Sequence, residues 1–540
     1  MRNRPDNHLY YGDNLAVLRK EIPDDSVDLI YLDPPFNSNA NYNILFKSPT
    51  GSSSDAQIEA FEDTWHWNDA AEDAFDQVAR SGNTRAFDLL NAIRRFLGEN
   101  DMMAYLAMMA VRLIELHRVL KPTGSLYLHC DPTASHYLKL LLDGVFGEER
   151  FVNEIIWKRS HAHSDARQGA RHFGRLTDTI FFYAKGNART WNVIYTDYEQ
   201  GYLDRDYRRL EADGRRYRLD NIQGPGGADK GNPFYEVMGV SRHWRYSRAR
   251  MDQLIADGRI IQTRPGAVPQ YKRYLDEMPG VPLQNLWTDL PLINNRSTEG
   301  LGYPTQKPVG LLERIIAASS NEGDVILDPF CGCGTAVHVA QKLGRQWIGI
   351  DVTHLAISLI EKRMTAAFPG IAFTVEGTPK DLASAEDLAE RDKYQFQWWA
   401  VSMVDAMPFG GKKKGADGGI DGLIYFKPDG RKTEKAIVSV KGGGNVGVQM
   451  IRDLHSTMER EKAPIGVFIT RALPTVVMER EAAAVGRFHA AATGKSYPRL
   501  QIITLAELFA GKKPDIPYVD PTAGIKRPPR EDTARQVALL

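Results

Sequence analysis

Four consecutive residues at the end of an apolar run carry groups suited to holding an amine. The stretch LIYLDPPFNSNANYN, residues 29–43, ends that run at Asp33 and continues with Pro34, Pro35 and Phe36. The Asp33 carboxylate and the Pro34 carbonyl accept hydrogen bonds, proline fixes φ and removes a competing donor, and Phe36 offers a stacking face. These groups suit an aromatic amine whose nitrogen becomes pyramidal as it attacks an electrophile. An ordinary turn at the end of a strand is the structural alternative.

A glycine-containing loop further along the chain predicts a site for a nucleoside cofactor. In VILDPFCGCGTAVHVAQKLGRQWIGID, residues 325–351, Gly332 and Gly334 allow a sharp turn and a close approach to a ligand after a strand. Asp351 ends the following strand, at the distance expected of an acceptor for ribose hydroxyls.

Two cofactors compete for this loop. A nicotinamide dinucleotide site would require glycine where the chain has Val337, and the acid at Asp328 would repel a pyrophosphate. A cofactor with a cationic amino-acid end tolerates Asp328 better, which favours S-adenosylmethionine. A merely structural turn is the remaining alternative.

The cysteines give little support to a metal site. Cys331 and Cys333 form a C-x-C pair, but no second pair or histidine cluster follows at zinc-site spacing, and His161 and His163 also lack such partners. Small residues that fill the loop explain the pair better. With Cys130 the chain has three cysteines, too few for a disulfide framework.

Alternating apolar runs and helical patterns predict an α/β fold around these motifs. In residues 1–150, SVDLIYLD and GSLYLHCD predict strands, the latter after a KPTG turn, and MMAYLAMMAVRLIELHRVL predicts a buried helix. The pattern resumes in residues 301–375, where VILD and WIGID predict strands and VGLLERIIAASS and TAVHVAQKL predict helices. In a doubly wound sheet the strand ends at the switch point share a crevice, so we expect Asp33 and Asp328 to flank one site.

The motifs resemble those of the circularly permuted β group of DNA amino-methyltransferases, in which a D-P-P-[YF] motif precedes the target-recognition region and the cofactor loop follows it. LDPPF at 32–36, TQKPVGLLERII at 305–316 and DPFCGCGT at 328–335 occur in that order. The resemblance implies a Rossmann-like sheet that transfers a methyl group from S-adenosylmethionine to a flipped base of double-stranded DNA. An aspartate opening the D-P-P motif favours adenine N6 in this family, with cytosine N4 as the alternative.

The same resemblance assigns individual residues. Asp33, Pro34, Pro35 and Phe36 match the catalytic motif. The matches to the cofactor-binding motifs are Lys307, Pro308, Asp328, Phe330, Gly332, Gly334 and Asp351. YGDNLAVL at 11–18 is similar to the segment near the cofactor adenine, which makes Asp13 a candidate contact, although capping of the following helix explains Asp13 equally well.

Residues 151–300 are predicted to form a target-recognition insertion. YLDRDYRRLEADGRRYRLDN and SRHWRYSRARM interleave arginine with tyrosine and tryptophan, and these types contact phosphates and guanine edges or stack on bases. A solvated basic surface is the alternative. NPFYEVMGVSRHWRYS is also similar to a segment of related enzymes in which Trp244 and Arg245 recur.

Residues 376–515 predict a further α/β domain with a different chemistry. Strands predicted at GLIYF, AIVSV and GVFIT place Asp421 on a turn before one strand and Lys441 at the end of the next. A carboxylate and a lysine on neighbouring strands can hold Mg²⁺ and stabilise the attacking hydroxide in phosphodiester hydrolysis.

This region resembles the Mrr-type restriction domain of the PD-(D/E)xK nucleases over about residues 415–475. The G-x-D-G-G-I-D-G turn is complete, and it implies Asp417 and Asp421 as Mg²⁺ ligands. The family has an acid two residues before the lysine, but this chain has Ser439 there. Serine is a poor ligand for a hard cation, so Asp417 or Glu390 would have to supply the missing carboxylate. Active cleavage and an inactive fold that binds DNA both remain open. GGKKKG at 410–415 is either a phosphate contact or a solvated loop.

Composition sets the limits of this interpretation. Lys plus Arg and Asp plus Glu both number 68, so attraction to DNA must come from local patches. The absence of an apolar start and of any long apolar run leads us to expect a cytoplasmic protein without membrane contact, with residues 516–540 as a tail. Monomer and homodimer are both open.

The sequence therefore predicts a fusion of a restriction and a modification activity. A methyltransferase whose last domain only binds DNA is the alternative, and methylation of RNA or a small molecule would leave the arginine-rich region without a role.

Overall fold

The structure is a computed structural model, and its chain divides into two compact units. The described residues are 7–34, 41–47, 53–62, 66–160, 171, 173–293, 297, 299–301, 303, 305–409, 419–429, 432–491 and 494–517, with backbone only for 41–47 and 53–62. One unit is Met1–Asn192 with Asn285–Leu540, and the other is Val193–Gln284.

The larger unit begins with alternating strands and helices. In chain order they are β1 (His8–Tyr11), α1 (Asn14–Glu21), β2 (Val27–Leu32), β3 (Asn41–Lys47), β4 (Ser53–Glu62), α2 (Asp69–Arg80), α3 (Thr84–Leu97), α4 (Asp101–Val119), β5 (Leu120–Cys130), α5 (Ser135–Phe146), β6 (Phe151–Lys158) and β7 (Thr177–Ala184). The buried helix predicted from MMAYLAMMAVRLIELHRVL is confirmed as α4, which the Asn100 side chain caps.

Strand β5 begins earlier than the sequence predicts. The expected KPTG turn lies inside the strand, because a register shift in the β2–β5 pairing between Val27 and Leu29 accommodates the extra residues. An ion pair at 2.7 Å between Lys121 Nζ and Asp28 Oδ2 also fixes this part of β5 to β2.

The smaller unit is built from short strands and two helices. They are β8 (Tyr195–Thr196), α6 (Gln200–Asp206), β9 (Arg209–Leu210), β10 (Arg216–Asn221), β11 (Phe234–Val237), β12 (Val240–His243), α7 (Arg248–Ala256), β13 (Ile260–Ile261), β14 (Gln270–Tyr274) and β15 (Val281–Pro282). Trp244 and Met251 lie in its apolar core.

The chain then returns to the larger unit. The elements are β16 (Leu286–Trp287), α8 (Val309–Ser319), β17 (Val325–Asp328), α9 (Thr335–Lys342), β18 (Gln346–Asp351), α10 (His354–Ala367) and β19 (Thr374–Glu376). The strands and helices predicted in residues 309–351 are confirmed.

A nine-stranded sheet organises the larger unit, in the order β16-β6-β7-β5-β2-β17-β18-β1-β19. Strand β7 runs antiparallel to its neighbours, and the other pairs are parallel. The chain moves outward from β2 to β5 on one side and from β17 to β18 on the other, which places the switch point between β2 and β17. The doubly wound α/β class is therefore confirmed. Asp33 follows β2 and Asp328 ends β17, so both acids lie at the same edge.

The predicted insertion is narrower than residues 151–300. Strands β6, β7 and β16 lie within that range but pair in the nine-stranded sheet, so the separate unit is Val193–Gln284. The arginine-rich composition suggested an irregular region and obscured the strand pattern of FFYA in β7.

The C-terminal elements of the larger unit form a second sheet with its own helices. They are α11 (Leu382–Arg391), α12 (Lys393–Met403), β20 (Met407–Pro408), β21 (Gly422–Phe426), β22 (Glu434–Lys441), α13 (Val448–Arg460), β23 (Ile465–Thr470), α14 (Val476–Ala484), β24 (Arg487–Ala490), β25 (Lys495–Pro498), β26 (Leu500–Thr504) and α15 (Leu505–Phe509). The three predicted strands are confirmed in a sheet of order β20-β21-β22-β23-β26.

Side chains along β22 point alternately to the two faces of this sheet, and an apolar cluster covers each face. Val438 packs in one apolar cluster with Trp399, whereas Ile437 packs in another with Phe468. Ile516 also lies in the first cluster, so the last domain extends past its predicted end at residue 515.

Candidate active sites

A cavity of about 700 Å³ opens at the edge of the nine-stranded sheet where β1, β2, β17 and β18 end. Its walls include most residues that the sequence predicts for methyl transfer: Asp13, Asp33, Pro34, Lys307, Asp328, Phe330, Gly332 and Asp351. Pro308 precedes α8 and Gly334 precedes α9, directly behind this wall. Pro35 and Phe36 lie outside the described residues.

The loop after β17 requires its two glycines. Gly332 has φ of 49° and Gly334 has φ of 73°, in the left-handed region that favours glycine. A Cβ on Gly334 would lie 2.7 Å from Ile360 Cγ1, and one on Gly332 would lie 3.3 Å from the ring of Tyr303. Glycine at these positions therefore lets the loop lie close to α10 and to the cavity wall.

Both carboxylate oxygens of Asp351 accept hydrogen bonds from the protein. Its Oδ2 accepts from the Gly332 N–H at 2.9 Å, and its Oδ1 accepts from the N–H and hydroxyl of Thr353 at 2.9 and 2.8 Å. The backbone N–H of Val352 also lowers the pKa of this carboxylate through a hydrogen bond. Burial raises the pKa of Asp351 to about 6, although these hydrogen bonds oppose the shift.

Asp328 gives the cavity its preference for a cation. Burial raises the pKa of Asp328 well above its usual range, and the Phe330 N–H, which donates to Oδ1 at 3.1 Å, opposes the shift. The charges of Asp33 and Asp351 raise it further, and Lys307 lowers it. A cationic ligand would stabilise the charged forms of these three acids, so the wall fits the sulfonium and ammonium groups of S-adenosylmethionine and disfavours a pyrophosphate.

Asp33 makes an ion pair that the sequence did not predict. Lys307 Nζ binds its Oδ2, whereas the resemblance counted that lysine among the cofactor-binding residues. Within the described part of the chain, no hydrogen bond reaches Oδ1 of Asp33. The lysine therefore orients the carboxylate and leaves Oδ1 as the oxygen that can meet a substrate amine.

Asp13 caps α1 and also lines the cavity. Its Oδ1 accepts from the Leu15 and Ala16 N–H groups, and the buried Arg112 donates to its Oδ2 at 2.6 Å. The structural explanation for Asp13 is thus observed, and the cofactor contact stays a prediction. Arg112 also donates to Asn14. Arg112 was missed in the sequence analysis, although a charged residue inside the apolar helix α4 was a signal that could have identified it.

The predicted residues of the last domain converge. Asp421 Oδ2 accepts from the Val440 N–H at 2.6 Å and from the Ser439 hydroxyl at 3.3 Å. Lys441 Nζ lies 3.9 Å from the same oxygen. Ser439 therefore holds Asp421 in place in this structure, whereas the family pattern has a second acid at this position.

The described residues do not by themselves form a magnesium site. Asp421 is the one carboxylate of this cluster, and no group of three or more His, Cys, Asp and Glu in the described ranges could hold a metal ion. Glu390 pairs with Arg471 at 3.1 Å on the exposed side of α11. Asp417, GGKKKG, His161 and His163 lie outside the described residues.

Cys331 and Cys333 are buried in the cofactor loop. Burial raises the pKa of both thiols, which keeps them protonated and makes them poor metal ligands. The structure thus supports the interpretation that they fill the loop.

Many arginines of the smaller unit are neutralised by neighbouring acids. Arg215 pairs with Asp276, and Arg259 pairs with Glu277. The exposed basic residues for which the described part of the chain offers no acidic partner are Arg208, Arg209, Lys230, Arg242, Arg245, Arg250 and Arg264. Trp244 is fully buried and donates its indole N–H to the Tyr235 carbonyl, so its role in this structure is to support the core.

Comparison with known proteins gives two family matches. A family model described as DNA methylase matches residues 27–362, and one described as restriction endonuclease matches residues 388–506. None of the helices in the described ranges has the length and apolar content that a membrane crossing needs.

Curated relatives match about two thirds of the chain. The type II methyltransferase M.EcaI of Enterobacter cloacae is 29% identical over 362 residues, which cover 66% of this chain and 69% of that protein. The DNA adenine methyltransferase YhdJ of Escherichia coli is 26% identical over 359 residues, covering 66% and 83%. The Mod subunit of the type III restriction-modification enzyme StyLTI of Salmonella typhimurium is 28% identical over 362 residues, covering 64% of this chain and 51% of that subunit, about half its length.

Proposed function

We propose that this chain, which belongs to the DNA methylase family, transfers a methyl group from S-adenosylmethionine to N6 of adenine in double-stranded DNA. One observation carries the proposal: Asp33 and the glycine loop line a single cavity at the switch point of the sheet. A cofactor held by the loop would therefore lie beside the acceptor for the target amine.

The residues around the cavity divide the work of the reaction. S-adenosylmethionine supplies an electrophilic methyl group. Asp351 would accept a hydrogen bond from a ribose hydroxyl, and Asp328 would face the cationic end of the cofactor. Asp33 Oδ1 and the Pro34 carbonyl would accept hydrogen bonds from the two N–H groups of the amine, which would free the nitrogen lone pair from the ring for attack on the methyl carbon. The amine would then give one proton to Asp33 Oδ1, so that the methylated base leaves uncharged.

Adenine is the proposed target for two reasons. The motif opens with Asp33, and YhdJ carries the name of an adenine methyltransferase. The test is methylation of plasmid DNA with isotopically labelled S-adenosylmethionine, followed by digestion to nucleosides and mass spectrometry. Label in N6-methyladenine supports the proposal, and label in N4-methylcytosine would contradict it.

We also propose that residues 376–517 cleave DNA. Two findings support this proposal. The region matches a restriction endonuclease family, and Ser439 and Lys441 both lie near one carboxylate oxygen of Asp421. Asp417 is the proposed second acid for Mg²⁺. Incubation of supercoiled plasmid with Mg²⁺, in methylated and unmethylated form, tests the proposal. Intact plasmid under both conditions would favour a domain that only binds DNA.

The smaller unit is the proposed target-recognition surface. Arg242 and Arg245 both donate to Gln223, at 3.2 and 3.1 Å, and neither has an acidic partner in the described residues. Phe234 is 64% exposed beside His243, which offers a ring for stacking. These groups suit contacts with phosphates and base edges. The cytoplasm is the proposed location, and the homodimer stays a prediction that light scattering would test.

A further inference from the structure

The cavity extends along the edge of the nine-stranded sheet on both sides of Asp33. From β2 towards β17 and β18, its wall includes Asp328 and Asp351, which match the cofactor motifs. From β2 towards β5, β7 and β6, it includes Asp178 and Arg159, which match none of the motifs. A cofactor on the first side would leave the second side for the nucleotide that carries the target amine.

Arg159 directly follows β6, and its backbone is held from both sides. Its N–H donates to the Leu176 carbonyl at 2.9 Å, and its carbonyl accepts from the Leu292 N–H at 3.0 Å. The Nε atom of its guanidinium is buried and lies 3.2 Å from Asp178 Oδ1 on the neighbouring strand β7. The guanidinium is therefore held over β7, which is the direction of Asp33.

The rest of this guanidinium is accessible from the cavity. Its terminal nitrogens carry four N–H donors, and none of these makes a hydrogen bond to a described residue. The Arg159 side chain is 36% exposed, against 7% for Arg112 and 10% for Lys307, which are the other cations among the described residues of the wall. Arg159 is thus the cation of this wall that an anion can reach most readily.

The distance between Arg159 and Asp33 corresponds to the size of a nucleotide. Neighbouring strands lie about 4.8 Å apart, so β7, over which the guanidinium lies, is roughly 10 Å from β2. The base amine of a nucleotide and its phosphate are separated by a comparable distance. An amine bound to Asp33 would therefore place a phosphate near Arg159, and a guanidinium binds phosphate through two parallel N–H donors.

We propose that Arg159 binds a phosphate next to the target adenine and thereby holds the flipped nucleotide in the cavity. The inference rests on the proposed function, because it requires that Asp33 accepts the target amine. Asp178 pairs with the Nε side of the guanidinium and so fixes the direction of the terminal N–H groups. If Arg159 served only to neutralise Asp178, it would contribute nothing to DNA binding.

The first experiment compares the wild type with Arg159→Gln in the full chain. The KM for DNA is expected to rise about tenfold, because a charge-assisted hydrogen bond is lost. The kcat and the Kd for S-adenosylmethionine should change less than about threefold. The slope of the DNA affinity against salt concentration, on logarithmic scales, should fall by about 0.9, the amount of one phosphate contact. Arg159→Lys keeps the charge and should keep this slope.

Arg150 provides a matched control at the other end of the same strand. It directly precedes β6, donates to Asn187 and lies 3.6 Å from Glu149. Arg150→Gln removes one positive charge from the same strand and should leave both the KM for DNA and the salt slope unchanged. If its slope falls as much as that of Arg159→Gln, the effect is one of total charge, and the proposal is wrong.

A duplex with one uncharged phosphate tests the contact without depending on the folding of a variant. A methylphosphonate replaces, in turn, the phosphate on each side of the adenine that the wild type methylates. At one of these positions the wild type should lose about tenfold in affinity, whereas Arg159→Gln should bind the modified and unmodified duplexes equally. No loss with the wild type, or an equal loss with both proteins, would overturn the proposal.

The same assays separate this inference from the function on which it rests. Absence of methyl transfer by the wild type would refute the proposed function and this inference together. Methyl transfer by the wild type, with an unchanged KM for DNA and an unchanged salt slope in Arg159→Gln, would refute this inference alone.

Discussion

The affinity for S-adenosylmethionine is expected to fall about tenfold when the pH is lowered from 7.5 to 5. Burial raises the pKa of Asp351 to about 6, so its carboxylate is largely ionised at pH 7.5 and only about one tenth ionised at pH 5. A ribose hydroxyl donates best to the ionised form, so binding at pH 5 must first remove a proton from Asp351. The loss is then about elevenfold, or about 1.4 kcal/mol.

Calorimetric titration of the full chain with the cofactor, at constant ionic strength from pH 5 to pH 7.5, measures this dependence. Asp351→Asn is the matched control, because it retains the shape of the side chain and the other cavity acids but cannot titrate. The affinity of this variant for S-adenosylmethionine should be weaker at every pH and should not show the elevenfold decrease between pH 7.5 and pH 5. If the wild type shows no decrease at pH 5, or if both proteins show the same decrease, Asp351 is not the group that binds the ribose.

Three further predictions follow from the same contacts. Gly334→Ala should lower the free energy of unfolding by about 3 kcal/mol, measured by urea denaturation, because the alanine would have to adopt the left-handed φ of 73° and its Cβ would lie 2.7 Å from a side chain of α10. A fully stable variant would contradict the loop geometry. Lys441→Ala should abolish Mg²⁺-dependent nicking and preserve methylation, and loss of both activities would point to misfolding. Arg242→Ala and Arg245→Ala should each lower the slope of the DNA affinity against salt concentration, on logarithmic scales, by the amount of about one phosphate contact. Arg259→Ala should leave this slope unchanged, because Arg259 is already paired with an acid. Equal effects of all three would refute the proposed surface.

The sequence predicted the parts of the site that local motifs encode. A strand that ends in Asp33 and another that ends in Asp328 both carry their own turn residues, and the rule for parallel sheets places such strand ends together. The cluster of Asp421, Ser439 and Lys441 was predictable for a different reason, because β21 and β22 pair antiparallel and the start of β21 therefore lies beside the end of β22.

Contacts between distant elements were not predictable. Arg112 reaches Asp13 from the middle of α4, and Asp178 reaches His129 from β7, because packing of the whole sheet brings these elements together. The composition of the arginine-rich region also misled, since arginine forms ion pairs with neighbouring acids as readily as with phosphate. Arg215, counted in the sequence as a DNA contact, pairs with Asp276.

The most direct test of the central claim is to sequence the DNA of a bacterial host that expresses the wild type or Asp33→Ala, with detection of modified bases. The account predicts N6-methyladenine at one fixed sequence context with the wild type and none with Asp33→Ala, although the variant still binds S-adenosylmethionine. Methylcytosine in place of methyladenine, or the same adenine methylation with both proteins, would contradict it.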